Sequence, residues 1–367
     1  MTLLAVGAGL VAVAFAVSVA LGAAVRKVAP RVGLVDRPGG RKAHKEPTPL
    51  GGGVAIWLTV GLVLGLGALA VAIGRDRLPP ELARHAEGLL GRGGKMATLY
   101  GLATMIMLMG LADDRYGLGW KLRLAVQFAM ATALVLGGVR VTLFPPFSGP
   151  IVSGTLTVFW VVGLTNAFNF LDNMDGLAAG VGLIAAALFA AAQLAVGSLF
   201  VPAVLLVLVG ALAGFLVHNR HPARLFMGDA GSNFLGFLLG ALTVIGTFTR
   251  ENYSHYSVLA PLLVMAVPLY DTGSVILIRL REGRSPFRAD RSHFSHRLVD
   301  RGLTSKGAVR TIYLVTLAGG LGALLLHRPE LDAMGALVIV SQTLCLLGVV
   351  AQLEFQTSRP ERRDGPS

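Results

Sequence analysis

An all-α, polytopic membrane protein of about eleven transmembrane helices is the fold that the sequence predicts. Three observations predict it. The chain has 367 residues, 54% of them hydrophobic and only 14% charged, where a soluble domain carries about 25% charged residues. Its apolar residues come in blocks of near-membrane length. Its Lys and Arg are shared unequally between the segments that join those blocks. This pattern excludes a secreted disulfide scaffold, a disordered chain and an ordinary cytosolic enzyme. The single cysteine, Cys345, allows no internal disulfide and no Cys-based metal site. It falls in the last span and reads as an inert packing or lipid-facing residue.

The apolar spans run at roughly 2–25, 51–73, 96–112, 122–139, 151–168, 177–196, 199–217, 231–249, 258–278, 309–326 and 334–353. The first opens Met1-Thr2-Leu3-Leu4, with no basic n-region and no evident cleavage site, and reads as a retained helix. Segments between spans alternate sides of the bilayer. One side collects 24 of the 32 Lys and Arg, with seven in 26–50 and nine in 279–310; the other holds eight. Five of those eight lie in 74–95, beside Asp76, Glu81 and Glu87. The rich side is therefore read as cytoplasmic, the N-terminus as outside and the C-terminus as cytoplasmic. On this reading the net charge of +12 reports orientation rather than nucleic-acid binding, for which no basic-aromatic module is present. Residues 1–354 are expected to form one membrane domain and 355–367 a short, disordered cytoplasmic tail.

Asp and Glu number only 20, and an Asp at the bilayer centre costs about 2.5–3.5 kcal/mol on insertion scales. Their positions are therefore informative. Asp113, Asp114, Asp172, Asp175, Asp229 and Asp271 all fall at or near the cytoplasmic ends of spans. The run Gly110-Leu111-Ala112-Asp113-Asp114-Arg115 is followed by Trp120, Lys121 and Arg123. Adjacent carboxylates repel, so they share a proton, face a cation or lie in a solvated loop.

In Asn166-Ala167-Phe168-Asn169-Phe170-Leu171-Asp172-Asn173-Met174-Asp175-Gly176, polar side chains recur at every third residue. That stripe drifts about 60° per step on an α-helix, so it can line one site only where the helix breaks. Oxygen ligands in a broken helix suit a hard cation such as Mg²⁺; a capped loop is the alternative. Asp229, in Gly228-Asp229-Ala230-Gly231-Ser232, precedes a span and reads as a ligand, a helix cap or both.

The basic loop Arg284 to Leu298 carries His293 and His296 among arginines, as an anion clamp would. A zinc site fits less well, because the arginines would repel a cation. A further polar stretch, Asp36 to His44 and on to Gly51-Gly52-Gly53, has turn chemistry throughout. No phosphate-binding P-loop or dinucleotide fingerprint is present. Carboxylates for a metal, together with Arg, Lys and His for phosphate, on one membrane face suggest phosphoryl transfer on a lipid.

These blocks resemble the polyprenyl-phosphate N-acetylhexosamine-1-phosphate transferases, integral membrane enzymes that start bacterial cell-envelope glycan assembly. Five blocks match in order: Asp36 to Gly53, Gly110 to Lys121, Asn166 to Gly180, Asn219 to Gly240, and Asp271 to Leu303. The run Ser285-Pro286-Phe287 to Asp290-Arg291-Ser292-His293 is similar to the branch that transfers GlcNAc-1-phosphate. Related enzymes usually carry a further histidine where this chain has Ser295.

The resemblance implies that undecaprenyl (polyprenyl) phosphate and UDP-GlcNAc give polyprenyl-diphospho-GlcNAc and UMP. It implies Mg²⁺ as the cofactor, with Mn²⁺ able to substitute, and Asp229 and Asn169 as its ligands. Asp113 and Asp114 would orient the lipid phosphate or take its proton. Lys121 would meet phosphate, Asp172 and Asp175 would line the nucleotide side, and His293, His296 and Arg297 the sugar-diphosphate side. Asp271 matches the family block and reads as an anchor of the basic loop as much as a catalytic group. The resemblance further implies a homodimer in the bacterial inner membrane with its active site facing the cytoplasm. Alternatives are the same chemistry on UDP-GalNAc or UDP-MurNAc-pentapeptide, and a membrane transporter, which should show mid-span acids and a two-halves repeat.

Overall fold

The structure, a computed structural model, describes residues 2–37, 46–74, 86, 88, 90–141, 149–195, 197–248, 255–286, 290–328 and 330–355. Residues 38–45 of the first polar stretch, 287–289 of the basic loop and the tail from 356 lie outside the described residues. The chain is built from α1 (Thr2–Val28), α2 (Gly52–Gly74), α3 (Gly93–Tyr116), α4 (Trp120–Leu136), α5 (Pro150–Leu171), α6 (Leu177–Ala195) and α7 (Phe200–Asn219). It continues through α8 (Gly228–Phe248), α9 (Ala260–Val264), α10 (Ala266–Arg281), α11 (Phe294–Asp300), α12 (Ser305–Leu321), α13 (Ala323–Leu326) and α14 (Ala333–Phe355).

Among the described residues, nine helical segments are long and apolar enough to cross a bilayer. The pair Tyr256–Val264 and Ala266–Arg281, bent by 67°, makes a tenth if it counts as one span. The remaining expected span, 122–139, is α4. It has 17 residues and opens on Trp120-Lys121-Leu122-Arg123, which puts it at the short end for a crossing. The chain is a multi-pass membrane protein.

The helix α8 is the axis of the bundle. It is almost wholly buried, and α2, α3 and α5 pack against it. Close approach is possible because the meeting points lack side chains. A Cβ added at Gly110 on α3 would lie 2.2 Å from the Asp229 carbonyl oxygen, so the two backbones touch as small residues allow in membrane bundles. Gly110→Ala should therefore lower stability by about 1–3 kcal/mol through overpacking. An unchanged melting midpoint in detergent would show that the helices have room to part.

Two further features carry chain to the buried end of α8. Strands β1 (Val35–Asp36) and β2 (Thr48–Pro49) pair antiparallel, with Val35 opposite Pro49 and Asp36 opposite Thr48. Past this hairpin, Phe226 N donates to Pro49 O, Gly52 N to Phe226 O and Gly53 N to Met227 O, each at 2.9 Å. Residues 49–53 thus hold the segment that enters α8.

At the same end α5 stops at Leu171, and Asp172 adopts φ −79° and ψ 51°. The chain turns through Gly176, whose N–H donates to Asn219 Oδ1 at 3.0 Å and whose carbonyl accepts from the Tyr313 hydroxyl at 2.5 Å. The stripe from Asn166 to Asp175 is broken where a shared site would need it to be.

Candidate active site

Four helix ends converge on one cluster. Asp113 lies in the last turn of α3 and is buried. Its Oδ1 accepts from Leu118 N at 2.5 Å, and its Oδ2 accepts from Arg123 Nη1 at 2.6 Å. The same Nη1 lies 3.2 Å from Asp229 Oδ2, so one guanidinium joins two carboxylates. Asn169, in the last turn of α5, donates from Nδ2 to Asp229 Oδ1 at 2.7 Å and to Ser232 Oγ at 3.1 Å. One turn beyond Arg123, Gln127 donates to Asn233 Oδ1 at 3.0 Å and accepts from Asn166 Nδ2 at 2.7 Å. Asn233 in turn donates to the Asp229 carbonyl at 2.7 Å. Buried amides have few partners to choose among, so this network fixes the rotation of α4, α5 and α8 about one point.

The neighbouring carboxylate is turned elsewhere. Asp114 Oδ1 accepts from Asp229 N at 2.8 Å and its Oδ2 from Ala230 N at 3.1 Å. These are orphan donors of the first turn of α8, so Asp114 is a cap supplied from another helix. Gly228 is at φ +71°, and a Cβ there would lie 2.5 Å from Asp114 Oδ2. Both the turn and the cap therefore require glycine.

The basic loop is anchored on α10. Asp271 is fully buried; it accepts from Phe294 N at 2.6 Å, and His293 Nδ1 lies 2.9 Å from its Oδ2. A carboxylate here only accepts, so Nδ1 carries the proton and Nε2 is the nitrogen left for another partner. Phe170 packs edge-on against His293 at 5.7 Å, and the His296 ring is 6.5 Å from that of His293. His296 Nδ1 is buried without a hydrogen-bond partner among the described residues. Burial, with the charges of Arg291 and His293, lowers the His296 pKa from its ordinary value.

Where related enzymes usually carry histidine, Ser295 donates to Asn173 Oδ1 at 2.5 Å and so ties the loop to the break after α5. Arg279, almost completely buried, stacks over Phe170 at 5.5 Å and holds Asp290 at 3.1 Å. Burial alone would raise the Asp290 carboxyl, but hydrogen bonds from Arg279 and Ser292 outweigh it and hold the group below the usual carboxylate range.

The two acids after the break differ. Asp175 accepts from Ala223 N at 3.1 Å, and His221 Nδ1 lies 2.7 Å from its Oδ2, which ties the turn after α7 to the turn after α5. Asp172 has no comparable clasp among the described residues. Its surface is only partly covered, yet the protein packed around it raises its pKa to about 7, with the charges of Asp114 and Asp175 adding to the effect.

The structure thus brings Asp113, Asp114, Asn169 and Asp229 together and places His293 and His296 side by side. It does not bring Lys121 into the cluster: its ammonium is exposed, 5.7 Å over the Trp120 ring. Arg297 is turned away as well, with Nη2 2.6 Å from Glu354 Oε2 on α14 and 2.9 Å from Ser274 Oγ. The sequence reading gives Lys121 as a partner for phosphate and assigns no role to Arg123 or Gln127, which the structure places in the network around Asp229. The spacing Arg123, Gln127 is i, i+4, one face of a helix that also carries the exposed Lys121. A polar residue one turn into an otherwise apolar span was the available signal.

Among the described residues, no three His, Cys, Asp or Glu side chains are grouped as in an all-protein metal cage. The donors present are the Asp113 and Asp229 carboxylates and the Asn169 amide. That set fits Mg²⁺, which is commonly bound through one or two carboxylates together with substrate phosphates.

Comparison with known proteins identifies relatives of the chain. The family model described as glycosyl transferase family 4 matches residues 96–247, which include Asp113, Asn169 and Asp229. A probable undecaprenyl-phosphate N-acetylglucosaminyl 1-phosphate transferase of Bacillus subtilis is 32% identical over 308 residues, covering 82% of this chain and 80% of that protein. The decaprenyl-phosphate N-acetylglucosaminephosphotransferase of Mycolicibacterium smegmatis is 36% identical over 354 residues, 88% of this chain and 84% of that one. An undecaprenyl-phosphate alpha-N-acetylglucosaminyl 1-phosphate transferase of Yersinia pestis is 29% identical over 82% of this chain and 78% of its own. With five ordered motifs, a membrane bundle that brings Asp113, Asn169 and Asp229 together where its helices end, and relatives matched over most of both chains, this chain belongs to the polyprenyl-phosphate N-acetylhexosamine-1-phosphate transferase family, within glycosyl transferase family 4.

Proposed function

We propose that the protein transfers GlcNAc-1-phosphate from UDP-GlcNAc to undecaprenyl phosphate or another polyprenyl phosphate, the first membrane step of a cell-envelope glycan. The observation that carries the reading is the junction of Asp113, Arg123, Asp229 and Asn169 where four helices end beside the histidine loop. A lipid phosphate can reach such a point from the bilayer and a nucleotide sugar from water. The positive-inside count supports a cytoplasmic active face in the inner membrane.

In this reaction an oxygen of the lipid phosphate attacks the β-phosphorus of the nucleotide sugar. The bond from that phosphorus to the bridging oxygen breaks, and UMP leaves with it. Phosphoryl transfer depends mainly on positioning and on charge stabilisation. Asp229 and Asn169 would hold Mg²⁺, which when bound neutralises charge on the diphosphate.

Asp113 is held in place by Arg123 and Leu118 N and orients the acceptor. A phosphate monoester loses its second proton near about pH 6, so little base strength is required of it at neutral pH. His293 presents Nε2 to the sugar-diphosphate because Asp271 occupies its other nitrogen. Asp271 acts through His293 and is a positioning residue.

Purified protein incubated with undecaprenyl phosphate, Mg²⁺ and a panel of UDP-GlcNAc, UDP-GalNAc and UDP-MurNAc-pentapeptide should release UMP fastest with UDP-GlcNAc. A faster rate with another donor moves the sugar assignment within the family. No UMP from any donor overturns the reading.

A further inference from the structure

The short helix α11 has two sides. Through His293 and Ser295, at and just inside its N-terminus, it meets Phe170 and Asn173 around the end of α5. Through Arg297 it meets Glu354 at the end of α14. On this second side a cleft of about 480 Å³ opens between α10, α11 and α14, a volume in the range of small-molecule sites. It contains none of the carboxylates or histidines assigned above.

The cleft has a definite charge pattern. Arg297 is neutralised by Glu354, and Glu282 is paired with Arg284. That leaves Arg281, Arg291 and Arg301, all exposed and with no acidic partner among the described residues, against the single carboxylate of Asp300. Three guanidinium groups from two helix ends and a loop therefore border one opening. Inside it, Glu354 is 2% exposed and its Oε1 is buried without a hydrogen-bond partner among the described residues. A buried, unpaired carboxylate oxygen is costly and calls for a donor. An anion alone would leave that oxygen unsatisfied; a ligand with both an anionic group and a hydroxyl would not.

The surroundings indicate where such a ligand comes from. Ile278 lines the cleft, and Leu277, Leu280, Val349 and Leu353 are exposed within two turns of it on α10 and α14. An amphiphile with acyl chains against these residues would bring its headgroup to the arginines. Basic pockets between transmembrane helices at the membrane surface hold anionic headgroups in this way.

We propose that the cleft binds a bilayer phosphoglycerol lipid. Its phosphate lies among Arg281, Arg291 and Arg301, and a glycerol hydroxyl donates to Glu354 Oε1. Occupancy clamps the end of α14 to α11 and so steadies the loop that carries His293, linking turnover to the lipid around the enzyme. This assignment does not depend on which sugar or polyprenyl chain the active site takes.

Native mass spectrometry of the full-length protein in mild detergent tests it, with phosphatidylglycerol, phosphatidic acid, phosphatidylethanolamine and phosphatidylcholine as probes. One phosphatidylglycerol per chain should survive activation that strips the other three. The variant R281Q/R291Q/R301Q should weaken that retention at least about tenfold, with an unchanged melting midpoint in lipid-free micelles. The variant R26Q/K27Q/R31Q, which removes as much charge elsewhere, should retain the lipid as the parent does.

Equal retention by the two triple variants, or no preference for phosphatidylglycerol over the zwitterionic lipids, overturns the site. Phosphatidic acid held as tightly as phosphatidylglycerol overturns the hydroxyl contact to Glu354. Displacement of the lipid by millimolar inorganic phosphate would mark a site for soluble anions and overturn the lipid assignment.

Discussion

Replacing Asp229 by asparagine should lower turnover at least about a hundredfold while the protein stays folded, in line with the loss of one preorganised electrostatic contact. The substitution keeps size and shape. An amide oxygen can still accept from Asn169, as Oδ1 does now at 2.7 Å. The backbone N–H of residue 229 still meets Asp114, so the start of α8 is unaffected. What disappears is the negative charge that faces Arg123 at 3.2 Å and that would hold Mg²⁺. The effect should therefore appear as a lower kcat and a higher Mg²⁺ requirement in UMP release, with the melting midpoint near that of the parent. A well-folded variant of near-normal rate would refute the metal assignment.

Asp113→Asn should also cost at least about a hundredfold in turnover, and its comparison with Asp114 separates two roles that adjacency conceals. Asp113 spends its oxygens on Arg123 and Leu118 N, within the cluster. Neutralising it leaves Arg123 without its shorter ion pair and removes the charge proposed to orient the acceptor, while the amide oxygen of asparagine can still accept from Leu118 N between α3 and α4. Asp114 spends both oxygens on the first-turn N–H groups of α8. Asp114→Ala should therefore lose about 0.5–2 kcal/mol of stability as a missing cap, in addition to any activity lost when Asp229 moves with its helix. The two variants, measured by UMP release and by thermal melting, should differ in the melt. Equal melting midpoints would mean that the cap on α8 is not what Asp114 supplies.

Much of the fold and part of the site are legible in the sequence. Apolar blocks of membrane length must become helices, because lipid offers no partner to a free N–H or carbonyl. The scarcity of acids makes their clustering at span ends informative. The Asn166 to Asp175 stripe can line one site only with a break in the helix, and the helix ends after Leu171. The motifs point to the family to which the chain belongs.

Other features depend on which side chains meet across helices distant in sequence. That Arg123 rather than Lys121 faces the acids follows from the rotation of α4, set by Gln127 bonding Asn233 on α8, 106 residues away. That Asp114 caps α8 while Asp113 lines the cluster follows from the contact of Gly110 with the Asp229 carbonyl, where two backbones meet without side chains between them. That Arg297 turns to Glu354 required the last helix to end beside α11. Hydropathy and charge along a chain fix which segments cross and in what order, because each segment answers to the bilayer alone. Which of two neighbouring carboxylates or cations faces the reaction is a pairwise matter of packing, and only the assembled bundle decides it.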